Sequence, residues 1–154
     1  CLDWFDLDNK IIFSAERNDW PKENMRNQWE NYPDYRTWDR ENRMFLNSGV
    51  MLAKKEKYLE LLDACMINFV EKNIQGHGGD QGVFTYHYNT SNNPEINLDY
   101  ANLLALSTYD SNINDYYCNN NKVYSKKFGT APLFIHDNGT NWGGQRFAAR
   151  FNIG

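Results

Sequence analysis

The sequence predicts one α/β domain, a mixed sheet flanked by helices, and three observations point there. Short apolar runs bounded by polar residues recur along the chain, as buried strands do. One long segment between them carries its apolar residues at three-and-four spacing, the signature of an amphipathic helix. Strand-like and helix-like segments alternate without an internal repeat or a linker, so residues 1–154 read as a single domain.

The first strand is "KIIFSAE", Lys10 to Glu16. From Arg17 to Arg43 the chain turns polar, rich in Trp and Tyr and broken by Pro21 and Pro33. Loops of that length are usually functional or carry short helices. "RMFLNSGVMLA" is the second strand region. In "KKEKYLELLDACMINFVEKN", Tyr58, Leu61, Leu62, Cys65, Phe69 and Ile74 share one helix face. "QGHGG" has the glycines of a helix end and a loop, and "DQGVFTYHYN" restarts a helix with Asp80 as its N-cap. "EINLD" and "LLALS" read as short strands, "DYYCNNNK" as a turn region and "KVYSK" as another strand. The last strand is in "APLFIHDNG", where Leu133, Phe134 and Ile135 run into His136. The expected core is Ile12, Phe13, Phe45, Leu46, Leu61, Leu62, Phe69, Phe84, Phe134 and Ile135.

Composition narrows the function classes. A chain of 154 residues supports one real core, and 41% hydrophobic against 23% charged residues suits a folded domain rather than a disordered tail. The net charge of −4 leaves no electrostatic footprint for nucleic acid. No apolar run approaches the ~18 residues of a membrane span, and the first residues do not read as a signal peptide, which leaves the compartment unassigned. Cys1, Cys65 and Cys118 lack zinc spacing, and an odd count argues against a disulfide framework. Cys65 reads as a buried free thiol.

Three polar groups sit at strand or helix ends, where open α/β sheets gather ligands: Asn47-Ser48-Gly49, Asp80-Gln81 and His136-Asp137-Asn138-Gly139. The Asn-Ser-Gly step inside an apolar run has two readings, a bulge or the close approach of a ligand to the backbone. Asp80 alone reads as a helix cap, and Asn138-Gly139 is an ordinary turn dipeptide. Asp6 and Asp8 form a DxD, but the Asn9-Lys10 that follows reads as a turn and the motif as a solvated loop. Aromatic residues are 16% of the chain, which fits either sugar stacking or simple filling of a core and rim.

Taken in order, these pieces resemble a known family. Phe13-Ser14-Ala15-Glu16, Trp20-Pro21, Tyr32-Pro33, Phe45 to Gly49, Asp80-Gln81, Phe84-Thr85, Leu98-Asp99 and His136 to Gly139 follow the pattern of the glycosyltransferase domain of procollagen lysyl hydroxylases and collagen galactosyl- and glucosyltransferases. The resemblance runs from about Ile11 to Gly139 and implies a GT-A-like (Rossmann-like) fold. It implies transfer of a sugar from a UDP-sugar donor to a protein or glycan hydroxyl, hydroxylysine or galactosyl-hydroxylysine in collagen-like acceptors, with Mn2+ or another divalent cation bridging the diphosphate. It gives His136 to the metal and Asp80 to the acceptor and the reacting carbon. Trp20, Asn47, Ser48, Gly49, Gln81, Asn138 and Gly139 would line the donor and acceptor cleft. The upstream DxD of the family is expected before Cys1, so the chain reads as the acceptor-side, C-terminal portion of the domain, inactive on its own.

Departures from the pattern open a second reading. Gly79 stands where the family has another aspartate before Asp80, Asp137 where it has a glycine, and Asn141-Trp142 where a basic residue commonly meets the diphosphate, Arg146 being the nearest cation. A non-catalytic glycan-binding relic of the same fold would show such losses. An unrelated α/β domain would fail to bring Asn47, Asp80 and His136 into one cleft. The sequons at Asn89 and Asn138 read as accidental.

Overall fold

The computed structural model describes residues 5–16, 45–72, 79–108, 111–137 and 149–151. Within them the α/β expectation holds. Strands β1 (Ile11–Glu16), β2 (Phe45–Leu52) and β3 (Ile96–Asp99) form a mixed sheet in the order β2-β1-β3. Strand β2 pairs antiparallel to β1 and β3 pairs parallel to it. Helices α1 (Lys55–Lys72) and α2 (Gly79–Ser91) connect β2 to β3. Further on, β4 (Ala105–Ser107) pairs in parallel with β7 (Phe134–His136), and β5 (Tyr116–Asn119) forms a hairpin with β6 (Lys122–Ser125).

Strand β1 explains the arrangement. All six residues are buried, as befits a central strand covered on both faces. Ile11, Phe13 and Ala15 pack with Leu46, Leu61, Cys65, Phe84, Ile96 and Leu98, while Ile12 joins Phe5, Leu104 and Ala105 in a second cluster. The period-two alternation of a strand thus feeds two apolar layers from one apolar run. Phe13 and Phe84 meet with ring centroids 5.3 Å apart, fastening α2 to the sheet.

The turn after β3 rests on one carboxylate. Asp99 is 6% exposed and accepts the N–H groups of Leu103 at 2.8 Å, Leu104 at 2.6 Å and Ala105 at 3.1 Å. Asn102 takes the left-handed conformation there, at φ 53°. Burial pushes the Asp99 carboxyl above its ordinary range, against the pull of the three amides. The DxD stretch is the solvated turn expected of it: Asp6 has φ 44° and accepts from Asn9, and Asp8 is ion-paired with Lys54.

Three expectations need correction. "DYYCNNNK" is largely β5 and the turn of a hairpin, in which Asn120 and Asn121 at φ 49° and 58° supply the two left-handed residues of a tight turn. Tyr117 and Tyr124 stack across that ladder, their centroids 5.3 Å apart. Phe134 and Ile135 are not core: they are 57% and 36% exposed, because among the described residues β7 pairs with β4 alone, in a two-stranded sheet. Leu62 and Phe69 are only half-buried, whereas the other expected core residues are buried. Cys65 is the buried free thiol foreseen, its pKa pushed up to about 12 by burial. Ile74 lies outside the described residues. Asn89, within α2, is 2% exposed and closed to glycan attachment in the folded chain.

Candidate active site

The polar step in β2 is a bulge, and it carries the site. Between the pairs Ser14↔Asn47 and Phe13↔Met51 the register jumps, leaving Ser48, Gly49 and Val50 without partners on β1. The bulge is tied locally. Asn47 is 3% exposed, and its side-chain oxygen accepts the Gly49 N–H at 2.9 Å. The buried Ser14 hydroxyl donates to the Asn47 carbonyl at 3.1 Å, with the Asn47 side-chain oxygen 3.3 Å away. These bonds satisfy polar groups that the ladder would otherwise leave unmet.

What approaches Gly49 is the imidazole of His136. A Cβ on Gly49 would lie 2.6 Å from His136 Nε2 and closer still to Cε1, so only glycine fits against the ring. His136 ends β7, and its carbonyl accepts the Thr108 N–H at 3.0 Å. Thr108 in turn donates its hydroxyl to Asp137 Oδ1 at 3.0 Å. Burial pulls the His136 pKa below the usual histidine range, while the neighbouring Asp137 pulls the other way. Its Nδ1 is buried with no hydrogen-bond partner among the described residues.

The third side is the start of α2. Gln81 is buried and bridges two strands, its Oε1 accepting the Ser48 N–H at 3.3 Å and its Nε2 donating to Glu16 Oε1 at 2.6 Å. Asp80 precedes it, exposed, with Oδ1 accepting the Gln81 N–H at 2.8 Å. The helix begins at Gly79, so Asp80 sits in its first turn rather than at the N-cap; Gly79, at φ 59°, makes the entry. Asp80 also edges an apolar cavity of about 230 Å3 between α1 and α2, lined by Leu62, Cys65, Met66, Phe69, Val83 and Phe84.

Four elements therefore meet at the carboxyl end of β1, the position at which open α/β sheets hold ligands. Asn47, Gly49 and His136 are in direct contact, Ser48 is bonded to Gln81, and Asp80 is its chain neighbour. Trp20, Asn138 and Gly139 lie outside the described residues. Sequence reasoning gave no role to Glu16, although a carboxylate closing an apolar strand is a signal that could have found it. Among the described residues no group of three or more His, Cys, Asp or Glu could hold a metal ion. His136 offers a neutral imidazole with a nitrogen unpaired among the described residues, but these residues do not by themselves make a metal centre.

No helix among the described residues is long and apolar enough to cross a membrane. Comparison with known proteins finds similarity to a viral protein and to a domain family. A protein of Acanthamoeba polyphaga mimivirus, "Uncharacterized protein R699", is 26% identical over 132 residues, which is 86% of this chain. The chain spans only 25% of the length of that relative. The sequence pattern of the PLOD GT domain matches residues 2–143, nearly the whole chain and every described site residue. The chain belongs to the PLOD glycosyltransferase-domain family.

Proposed function

We propose that this chain is the acceptor-side portion of a glycosyltransferase that moves a sugar from a UDP-sugar donor to a protein or glycan hydroxyl. The observation that carries the reading is the meeting of Asn47, Ser48, Gly49, Gln81 and His136 at the start of α2, beside Asp80, in a member of this family. Asp80 presents an exposed carboxylate at the edge of this cluster. Such a group accepts a hydrogen bond from the acceptor hydroxyl and offsets positive charge developing at the sugar carbon as the donor bond breaks. Asn47 and Ser48 line the cleft, and Gln81 fixes its floor. Trp20, Asn138 and Gly139 are assigned to the cleft on family pattern.

The reading includes Mn2+ or another divalent cation, with His136 as one ligand and the remaining ligands from carboxylates beyond the described residues. When bound, such an ion neutralises the departing diphosphate. Gly79 in place of the family's further aspartate and Asn141-Trp142 in place of its basic residue favour a second reading, a glycan-binding relic of the same fold.

Calorimetric titration of UDP into the full-length protein, with and without Mn2+, tests both. Tight binding that requires Mn2+ and is lost in His136→Ala is the expected outcome. Absence of metal-dependent binding by a folded protein refutes the transferase reading and leaves the relic.

A further inference from the structure

We infer that Glu16 is a positioning residue, which orients the side-chain amide of Gln81 and through it the β2 bulge. Glu16 closes β1, is 4% exposed, and receives the Gln81 Nε2–H at 2.6 Å. A carboxylate only accepts hydrogen bonds, so the amide must turn its NH2 toward Glu16. Its oxygen is then left facing the Ser48 N–H, and the bond at 3.3 Å forms. Rotating the amide by half a turn would set oxygen against oxygen and NH2 against N–H. One carboxylate on β1 thus selects the orientation of a side chain on α2, and that orientation decides whether the bulge is held.

What the relay holds is the residue before Gly49, the glycine against which the His136 ring packs. Ser48 has no partner on β1 to hold it otherwise. Glu16 acts at one remove from any ligand. The inference rests on the proposed function only in counting the bulge as part of the site.

The test is amide hydrogen exchange at Ser48 in the full-length protein, with the Leu104 amide, bonded to Asp99, as internal control. Gln81→Glu sets two carboxylates face to face and is expected to speed Ser48 exchange about tenfold relative to Leu104. Adding Glu16→Gln restores the pattern with roles exchanged: residue 16 donates, and the carboxylate at 81 accepts from both partners. Ser48 protection is then expected to return to within about twofold of wild type. Unchanged exchange in Gln81→Glu, or no recovery in the double variant, overturns the proposal. If Gln81→Glu alone does not fold, the double variant decides: folded with wild-type protection supports the relay, and unfolded refutes it. Exchange needs no donor sugar, so a working relay without UDP binding would defeat the transferase reading and leave this inference standing.

Discussion

Replacing Asp99 should cost the fold far more than its place on a short strand suggests. Its two oxygens take three amides, and two of those bonds are short, at 2.6 and 2.8 Å. A hydrogen bond to a charged group contributes about 1.5–3 kcal/mol, and each buried donor left unmet costs about 1–3 kcal/mol. Asp99→Ala strands all three donors, while relief from burying a charge returns part of the loss; a net cost of about 3–5 kcal/mol is expected. Asp99→Asn keeps one oxygen, so at least one amide faces an NH2 group, and about 2–3 kcal/mol is expected. Urea unfolding should show both as a lower midpoint at unchanged slope. The pH dependence carries a sign. The folded carboxyl has a raised pKa, so the native state holds its proton more tightly than the unfolded chain does. Asp99 therefore makes stability fall as pH rises from the ordinary 3.8 through the raised value, and Asp99→Asn should lack that slope. Variants within about 0.5 kcal/mol of wild type would refute the claim that this carboxylate holds the turn.

Two other outcomes follow from the contacts of Gly49 and His87. Gly49→Ala drives a methyl into the His136 ring, so it should destabilise by about 1–3 kcal/mol, readable by thermal unfolding, and weaken the proposed Mn2+-dependent UDP binding, readable by calorimetry. His87 is 7% exposed with its pKa lowered by burial, and its Nδ1 lies 2.9 Å from Asn68 Nδ2, a donor that needs the unprotonated nitrogen. Its contribution is therefore complete above pH 6.5 and lost as pH falls from there through the lowered folded value; thermal scans of wild type and His87→Gln should diverge from pH 6.5 downward.

Much of the fold was legible because local pattern and tertiary role agree. The apolar run Ile11–Ala15 serves two clusters, and Leu61 and Cys65 fall on the buried face that periodicity assigns them. The pattern misled where neighbours decide. Phe134 and Ile135 look like core, but apolarity does not report how many strands or layers will cover a segment. The β5–β6 hairpin was hidden by its asparagines, read as a long turn when two of them are the turn and the rest is ladder. At the site, residue types and spacing singled out Asn47, Gly49, Gln81 and His136. That glycine's neighbour is an imidazole, and that Gln81 joins Glu16 to Ser48, are facts of long-range packing that no local window contains.

The interruption in β2 has a consequence for how this domain can change over generations. Removing Ser48, Gly49 and Val50 would join Asn47 to Met51 and leave Ser14↔Asn47, Phe13↔Met51 and Ile12↔Leu52 as consecutive rungs. The shortened chain would keep its strand order and most of its apolar contacts, giving up that of Val50 with the second cluster. The strand pairing thus asks little of this insertion, of which Ser48 and Gly49 belong to the candidate site. On the proposed function, a lineage released from sugar transfer could shed the insertion in one in-frame deletion and keep the strand pairing, so its presence would mark that proposed activity better than the sheet around it.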